Sequence, residues 1–169
     1  LELLEISEKR SDRVHLKVRV PDDAALGVYP FALHTARGIT RVKMLRVGGL
    51  PSIAEAKEHA QPETAQQIPL NCTVDGRVLN EDVDWYSFDA EAGQRIRIEA
   101  EGIRLGFYDY DLQFEVFGPD GELVVRADES SIGRADPVAG FLAEMTGTHR
   151  LALRDVAYRG SSLAAYRLH

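Results

Sequence analysis

Residues 80–94, NEDVDWYSFDAEAGQ, combine closely spaced acids with aromatic side chains. The residues of chemical interest are Glu81, Asp82, Asp84, Trp85, Tyr86 and Phe88. Carboxylates this close together could form a pair for acid–base catalysis, could coordinate Ca²⁺, or could simply mark the start of a β-strand. The surrounding elements decide which of these interpretations the sequence supports.

Asp82 and Asp84 are the most plausible catalytic pair in this stretch. Two residues apart on a strand, they share a face with Cα atoms about 6.5–7 Å apart. The carboxyl groups of glycosidases lie about 5–9.5 Å apart, so distance permits acid–base chemistry. Such catalysis also needs environments that separate the two pKa values, and the sequence offers none. We therefore predict no catalytic residue and a protein that is not an enzyme.

Composition excludes several classes of function. The chain has 169 residues, a net charge of −7 and a pI of about 5.2, without the clustered basic face of a nucleic-acid-binding protein. No apolar run approaches the ~18 residues of a membrane span. Cys72 is the only cysteine, so an intrachain disulfide is impossible, and we expect a small, half-buried apolar residue there.

The first 49 residues alternate between polar and apolar positions. In residues 13–20, RVHLKVRV, valine and leucine occupy every second position, which is typical of a half-buried strand. Two further short strands are predicted within 28–35 and 39–49, and Pro30 suggests an edge or a bulge. The segment begins at Leu1 without an initiator methionine, so we expect it to be the end of a β-sandwich whose other strands lie upstream.

Residues 50–70 differ in character from both neighbours. Alanine, glutamate and glutamine increase, the alternation stops, and Pro51, Pro62 and Pro69 interrupt the segment. This composition predicts a linker, with one or two helical turns around residues 53–60.

From residue 71 onwards, alternating segments resume and continue to the end of the chain. Turn signals occur at 75–76, 91–93 and 119–121. Seven or eight short strands at this spacing predict an all-β sandwich or jelly roll. Within residues 84–90, alternation predicts that Tyr86 and Phe88 face the core, while Trp85 and Ser87 share the opposite face.

The motifs of this second part have the order and spacing of a known family. They are VDGRV (74–78), DVDWYSFDAEAGQRIRIEA (82–100), YDLQFEVFGPDGELVVRADES (110–130) and TGTHRLALRD (146–155). In these motifs the chain resembles the bacterial pre-peptidase C-terminal domain, whose relatives include the collagen-binding domains of clostridial collagenases. The segment GVYPFALHTARGITRVKMLRVGGLP resembles the last strands of an immunoglobulin-like domain.

The two resemblances imply an all-β chain in three parts. Residues 1–49 would be the C-terminal strands of a partial immunoglobulin-like β-sandwich, residues 50–70 a linker, and residues 71–169 a jelly-roll-like β-sandwich. Family members are non-catalytic modules of secreted hydrolases or of other exported multidomain proteins.

The resemblance also implies a candidate calcium site, because some family members bind Ca²⁺ where the entry linker meets the acidic strand. The corresponding residues here are Glu55, Glu81, Asp82 and Asp84. Lys57 stands where those relatives have a second linker carboxylate, and His59 replaces an asparagine. A lysine ammonium has the wrong charge for a calcium ligand, so we favour a structural role for Asp84 and expect no cofactor.

A second candidate surface combines acidic and aromatic residues in loops near one end of the predicted sandwich. Its members are Phe107, Tyr108, Asp109, Tyr110 and Asp128. Exposed, they would suit a polysaccharide or a protein ligand, whereas strand-end packing would explain the aromatic residues equally well.

The sequence therefore predicts a non-catalytic accessory module of a larger exported bacterial protein. It would be secreted, periplasmic or on the cell surface, with an extracellular polymer or protein and the other domains of its own chain as partners. The alternatives are a purely structural stability module and a calcium-dependent module that binds collagen or carbohydrate.

Overall fold

The structure is a computed structural model that describes residues 2–10, 14–106, 110–131 and 135–169. The chain divides into two compact units, Leu1–Gly49 and Leu50–His169. Within the described residues, no helix has the length and apolar character needed to cross a membrane.

The first unit consists of three two-stranded antiparallel sheets, which pair β1 with β2, β3 with β6, and β4 with β5. Their strands are β1 (Glu2–Lys9), β2 (Val14–Arg19), β3 (Gly27–Phe31), β4 (His34–Thr35), β5 (Gly38–Ile39) and β6 (Lys43–Val47). The alternation predicted for residues 13–20 is visible only in the first half of β2, where Val14 and Leu16 are half-buried and His15 is exposed. Val18 and Val20, predicted on the same half-buried face, are exposed. The immunoglobulin-like identity of this unit stays a prediction.

The second unit contains two five-stranded sheets, in the orders β13-β12-β15-β10-β8 and β14-β11-β16-β9-β7. The strands are β7 (Ser52–Ala54), β8 (Gln66–Gln67), β9 (Thr73–Arg77), β10 (Asp84–Ala90), β11 (Arg95–Glu101), β12 (Leu112–Phe117), β13 (Leu123–Ala127), β14 (Val138–Leu142), β15 (Gly147–Asp155) and β16 (Ala165–Leu168). Most neighbours are antiparallel, whereas β7 and β8 add to β9 and β10 in parallel.

One hydrophobic core lies between these two sheets, and both contribute to it. The core side chains include Val74, Tyr86, Phe88, Ile96, Ile98, Phe114, Val116, Leu151, Leu153, Tyr166 and Leu168. On β10 the buried positions alternate with more exposed ones, so that Tyr86 and Phe88 face the core and Trp85 and Ser87 face outward, as predicted. The all-β class and the β-sandwich of the second part are confirmed.

Residues 50–70 differ from the predicted linker. They contain β7 and β8, each of which forms an edge strand of one sheet, and Ile53, Ile68 and Leu70 pack against the core. The helical turns predicted around residues 53–60 are replaced by β7 and an irregular segment, and a short 3₁₀ turn follows at Pro62–Thr64. Strands of two or three residues are too short to show alternation, which explains why the sequence pattern missed them.

Two of the three predicted turns are confirmed. Gly93 and Gly121 adopt positive φ angles of 87° and 84° between successive strands, a conformation that favours glycine. The third prediction was wrong, because Asp75 and Gly76 lie inside β9, where they pair with Arg167 and Tyr166 of β16.

Candidate functional site

A cluster of ionisable side chains joins the two sheets at the start of β10. Asp84 is the first residue of that strand, and its side chain points inward and is 2% exposed. Glu55 follows β7 and is anchored to β9, since its backbone N–H donates to the Asp75 carbonyl and its Oε2 accepts the Arg77 N–H at 3.0 Å. The cluster therefore takes one carboxyl group from each sheet.

His59 completes the cluster from the segment between β7 and β8. Its carbonyl accepts the Trp85 N–H at 2.8 Å, which fixes this segment beside β10. Its side chain is 6% exposed, and Nε2 lies 3.5 Å from Glu55 Oε1 and 3.4 Å from Asp84 Oδ1. Among the described residues, Glu55, His59 and Asp84 form the group of ligand-type side chains close enough to hold one metal ion.

Two buried tyrosines form the floor of the cluster. The Tyr86 hydroxyl lies 3.3 Å from His59 Nε2 and shares a hydrogen bond with the Tyr166 hydroxyl. Because Tyr86 lies on β10 and Tyr166 on β16, their hydrogen bond crosses the core between the two sheets.

Burial controls the charge of the cluster. Burial, followed by the neighbouring Glu55 carboxylate, raises the pKa of Asp84 to about 8, although the bond from Tyr166 acts in the opposite direction. Burial also raises the pKa of Glu55 and lowers the pKa of His59. Burial therefore acts against the charged form of all three side chains.

The structure brings together two of the four residues predicted as calcium ligands, Glu55 and Asp84. Glu81 is exposed in a left-handed backbone conformation with φ of 58°, and its N–H donates to the Tyr158 carbonyl. Asp82 accepts the Val83 N–H through Oδ1. Neither residue belongs to the group of possible ligands formed by the described residues.

Sequence reasoning missed His59 and the tyrosine pair as members of the cluster. His59 lies four residues after Glu55, and this spacing was the only local sign that the two side chains meet. The spacing becomes informative only when the segment is known to pack against β10. Lys57, the residue that departs from the relatives' pattern, is exposed and lines the same surface pocket as Glu55, His59 and Asp82.

The predicted loop surface lies partly outside the described residues, because Phe107, Tyr108 and Asp109 are not among them. The Tyr110 side chain is not exposed to a ligand from solvent, as the predicted surface would require. It is 2% exposed, and its hydroxyl donates to the Ala165 carbonyl, so core packing accounts for this aromatic residue. Asp128 is exposed after β13.

A different aromatic surface occupies the outer face of the sheet that contains β10. Trp85 on β10 stacks on Phe117 of β12 across the intervening β15, with ring centroids 5.7 Å apart and planes 28° apart. Both side chains are partly exposed. They line a surface pocket together with Pro62, Glu63, Gly121 and Arg150. We call this set the Trp85 surface.

Residues 82–155 match the model of the bacterial pre-peptidase C-terminal domain family. The sequence matches none of the curated proteins with which it was compared.

The solved structures that are similar to this chain include the following three. The pre-peptidase C-terminal domain of a collagenase from Bacillus anthracis is 17% identical, with a TM-score of 0.49, over 72% of this chain and 97% of that one. PliG, a periplasmic inhibitor of g-type lysozyme from Aeromonas hydrophila, is 14% identical, with a TM-score of 0.46, over 69% and 95%. A mutant of the corresponding Escherichia coli inhibitor is 13% identical, with a TM-score of 0.38, over 62% and 95%.

Proposed function

We propose that this chain is a non-catalytic accessory module of a larger exported bacterial protein and that it binds an extracellular polymer through the Trp85 surface. The match of residues 82–155 to the bacterial pre-peptidase C-terminal domain family supports the accessory role. The observation that carries the proposal is the stacked, partly exposed pair of Trp85 and Phe117. Contiguous exposed apolar patches that are rimmed by polar residues mark interaction sites on protein surfaces.

The chemistry of the Trp85 surface suits a chain with flat apolar faces and polar edges. Indole and phenyl rings supply rigid contact area at a low cost in conformational entropy. Arg150 and Glu63 border the rings and can form hydrogen bonds with hydroxyl or peptide groups. Sugar rings and proline-rich or collagen-like peptides both present such faces.

Asp82 and Asp84, the two acids considered as an acid–base pair, lie in different surroundings. Asp84 is buried in the Glu55–His59 cluster, while Asp82 accepts a backbone N–H outside it. The two carboxyl groups therefore do not face a common open cleft.

The test uses Trp85 as its own reporter, since it is the only tryptophan in the chain. Intrinsic fluorescence is titrated with soluble polysaccharides and collagen peptides, and co-sedimentation is measured with insoluble collagen, chitin and cell-wall material. A polymer that binds the Trp85 surface is expected to change the emission and to retain the wild-type protein. Trp85→Ala is expected to lose retention, by at least about tenfold in Kd, as is typical of a buried aromatic anchor.

Leu142→Ala provides the matched control, because Leu142 is an exposed apolar residue on the other sheet and is 54% exposed. It is expected to bind like the wild type. Circular dichroism of each variant establishes that the fold is intact. If no polymer in the panel changes the emission or retains the protein, the purely structural alternative is correct. If retention occurs only with Ca²⁺ present, the calcium-dependent alternative is correct.

A further inference from the structure

The cluster of Glu55, His59 and Asp84 does not match what Ca²⁺ requires. Calcium takes six to eight oxygen ligands and has little affinity for imidazole nitrogen. Here the described residues that converge are two carboxyl groups and a histidine whose Nε2 points between them. Glu81 and Asp82 lie outside the group, so the oxygen count that Ca²⁺ needs is not reached by these side chains.

The same donors match a smaller ion that accepts nitrogen and oxygen together. Zn²⁺ is bound by histidine and carboxylate at about 2.0–2.2 Å, usually in a tetrahedron, whose ligand atoms are then about 3.3–3.6 Å apart. His59 Nε2 lies 3.5 Å from Glu55 Oε1 and 3.4 Å from Asp84 Oδ1. The observed spacings are those of neighbouring ligands around one such ion.

The donors are also held in place before any ion arrives. The second oxygen of Glu55 accepts the Arg77 N–H, which leaves Oε1 directed at His59. The backbone of His59 is fixed by the Trp85 N–H, and Asp84 is fixed at the start of β10. The contacts of Nε2 with its three oxygen neighbours, at 3.3–3.5 Å, are all longer than the usual N–H···O distance of about 2.9–3.0 Å. His59 is therefore aimed at a centre rather than at one partner.

We propose that Glu55, His59 and Asp84 form a binding site for a divalent transition metal ion of the Zn²⁺ type. The site shares no residue with the Trp85 surface. The fourth ligand is a water molecule, which reaches the ion through the surface pocket that Glu55 and His59 line. Bound metal would fasten the segment between β7 and β8 to both sheets.

The experiment uses the complete, tag-free chain after removal of metals with a chelator. Isothermal titration is carried out with ZnCl₂ and, separately, with CaCl₂, and Co²⁺ is added as a spectroscopic substitute for Zn²⁺. We expect one Zn²⁺ per chain with a Kd below about 10 μM, in line with a site of three protein ligands. We also expect a higher melting temperature with Zn²⁺, an unchanged one with Ca²⁺, and the intense visible bands of tetrahedral Co²⁺.

Two ligand variants and one control make the assignment specific. His59→Asn and Glu55→Gln are expected to raise the Kd for Zn²⁺ more than about 100-fold, because even groups that only support metal ligands contribute 10–100-fold. Glu55→Gln retains a side-chain oxygen that can accept the Arg77 N–H, so this variant is expected to keep the local fold. It therefore tests the site even if His59→Asn disturbs the structure. His34→Asn removes an exposed histidine of β4 and is expected to leave binding unchanged.

Three results would overturn the proposal. The first is a failure of Zn²⁺ to bind at one equivalent. The second is equal binding by the wild type and both ligand variants, which would identify an adventitious surface site. The third is stabilisation by Ca²⁺ but not by Zn²⁺, which would restore the calcium interpretation. The Zn²⁺ titration and the polymer retention assay have separate readouts, so the metal site and the polymer-binding role are tested separately.

Discussion

Asp155, the last residue of β15, is fully buried and works as a backbone clamp. Its Oδ1 accepts the N–H groups of Ala157 and Arg159 at 2.9 and 3.0 Å, and its Oδ2 accepts the Asp111 N–H at 2.8 Å. Burial acts to raise the pKa of this carboxyl group, but the three backbone donors outweigh burial and the pKa is lowered. The ionised form therefore stabilises the loop that follows β15.

We expect Asp155→Asn to lower the free energy of unfolding by about 1–3 kcal/mol at pH 7. Asparagine keeps one side-chain oxygen, but its NH₂ group replaces the other oxygen and cannot accept a backbone N–H. A lowered pKa in the folded state means that the stability supplied by Asp155 is present above the ordinary aspartate range and is lost as the pH falls through the folded-state pKa. The difference between variant and wild type should therefore shrink between about pH 5 and pH 3. Urea denaturation at several pH values measures it.

Asp128→Asn is the control for Asp155→Asn, because Asp128 is exposed. It is expected to change the stability by less than about 0.5 kcal/mol at every pH. A difference between Asp155→Asn and the wild type that stays constant down to pH 3 would contradict the proposed role of the ionised carboxylate.

Individual residues could be predicted from the sequence where a local rule applied to them. The inward direction of Tyr86 and Phe88 followed from alternation, and the structure confirms it. The proximity of His59 to Asp84 could not be derived in this way, because it depends on a backbone hydrogen bond between an irregular segment and β10. The same holds for Tyr166, which meets Tyr86 across 80 residues of chain.

At the scale of elements, β9 shows why a glycine can belong in the middle of a strand. Gly76 pairs with Tyr166 of β16, and the Tyr166 ring lies against the Gly76 backbone in the space that a Cβ atom would occupy. The Asp-Gly sequence resembles a turn signal, yet its glycine serves close packing instead. The cross-sheet bond between Tyr86 and Tyr166 depends on this close approach.

Gly76→Ala should therefore destabilise the second unit by about 1–3 kcal/mol or more, because the added methyl group displaces a fully buried ring. Thermal and urea unfolding measure the effect. Gly140→Ala is the matched control in strand β14, where the new Cβ would meet only the Ile96 carbonyl oxygen at 3.4 Å. We expect that variant to change stability by less than about 1 kcal/mol.

A second variant links the effect of Gly76→Ala to Tyr166. When Tyr166 is also replaced by alanine, the two costs should not add, because the smaller residue makes room for the methyl group. Equal costs for Gly76→Ala with and without Tyr166 would mean that the ring is not the cause.

The long strands were predictable from sequence, whereas the short edge strands were not. Strands of five or more residues, such as β10, β11 and β12, show periodic patterns with turn residues between them. β7 and β8 are stabilised by long-range contacts instead, including Gln66, whose side chain accepts the Ala56 N–H at 2.7 Å and donates to the Ala54 carbonyl at 3.1 Å. A linker and an edge strand of this kind are alike in composition.

At the scale of the whole molecule, burial is divided unequally between the two units. Among the residues whose burial is described, the fully buried hydrophobic side chains all lie between Cys72 and Leu168. In the first unit, none of the residues whose burial is described is buried, and several large apolar side chains are exposed, including Leu3, Leu26 and Ile39. A chain of about 50 residues without a core cannot offset the conformational entropy lost on folding.

We therefore expect residues 50–169, expressed alone, to keep the cooperative unfolding transition of the complete chain, with a melting temperature within about 3 °C, since a shift of that size corresponds to less than about 1 kcal/mol. Residues 1–49 alone should show no cooperative transition and poorly dispersed NMR spectra, because a pair of strands without a covered apolar face is marginal in water.

A fragment beginning at residue 61 should be less stable than 50–169, because it lacks β7 and the core contact of Ile53. Equal stability of the two fragments would show that residues 50–60 are the linker that their composition suggests.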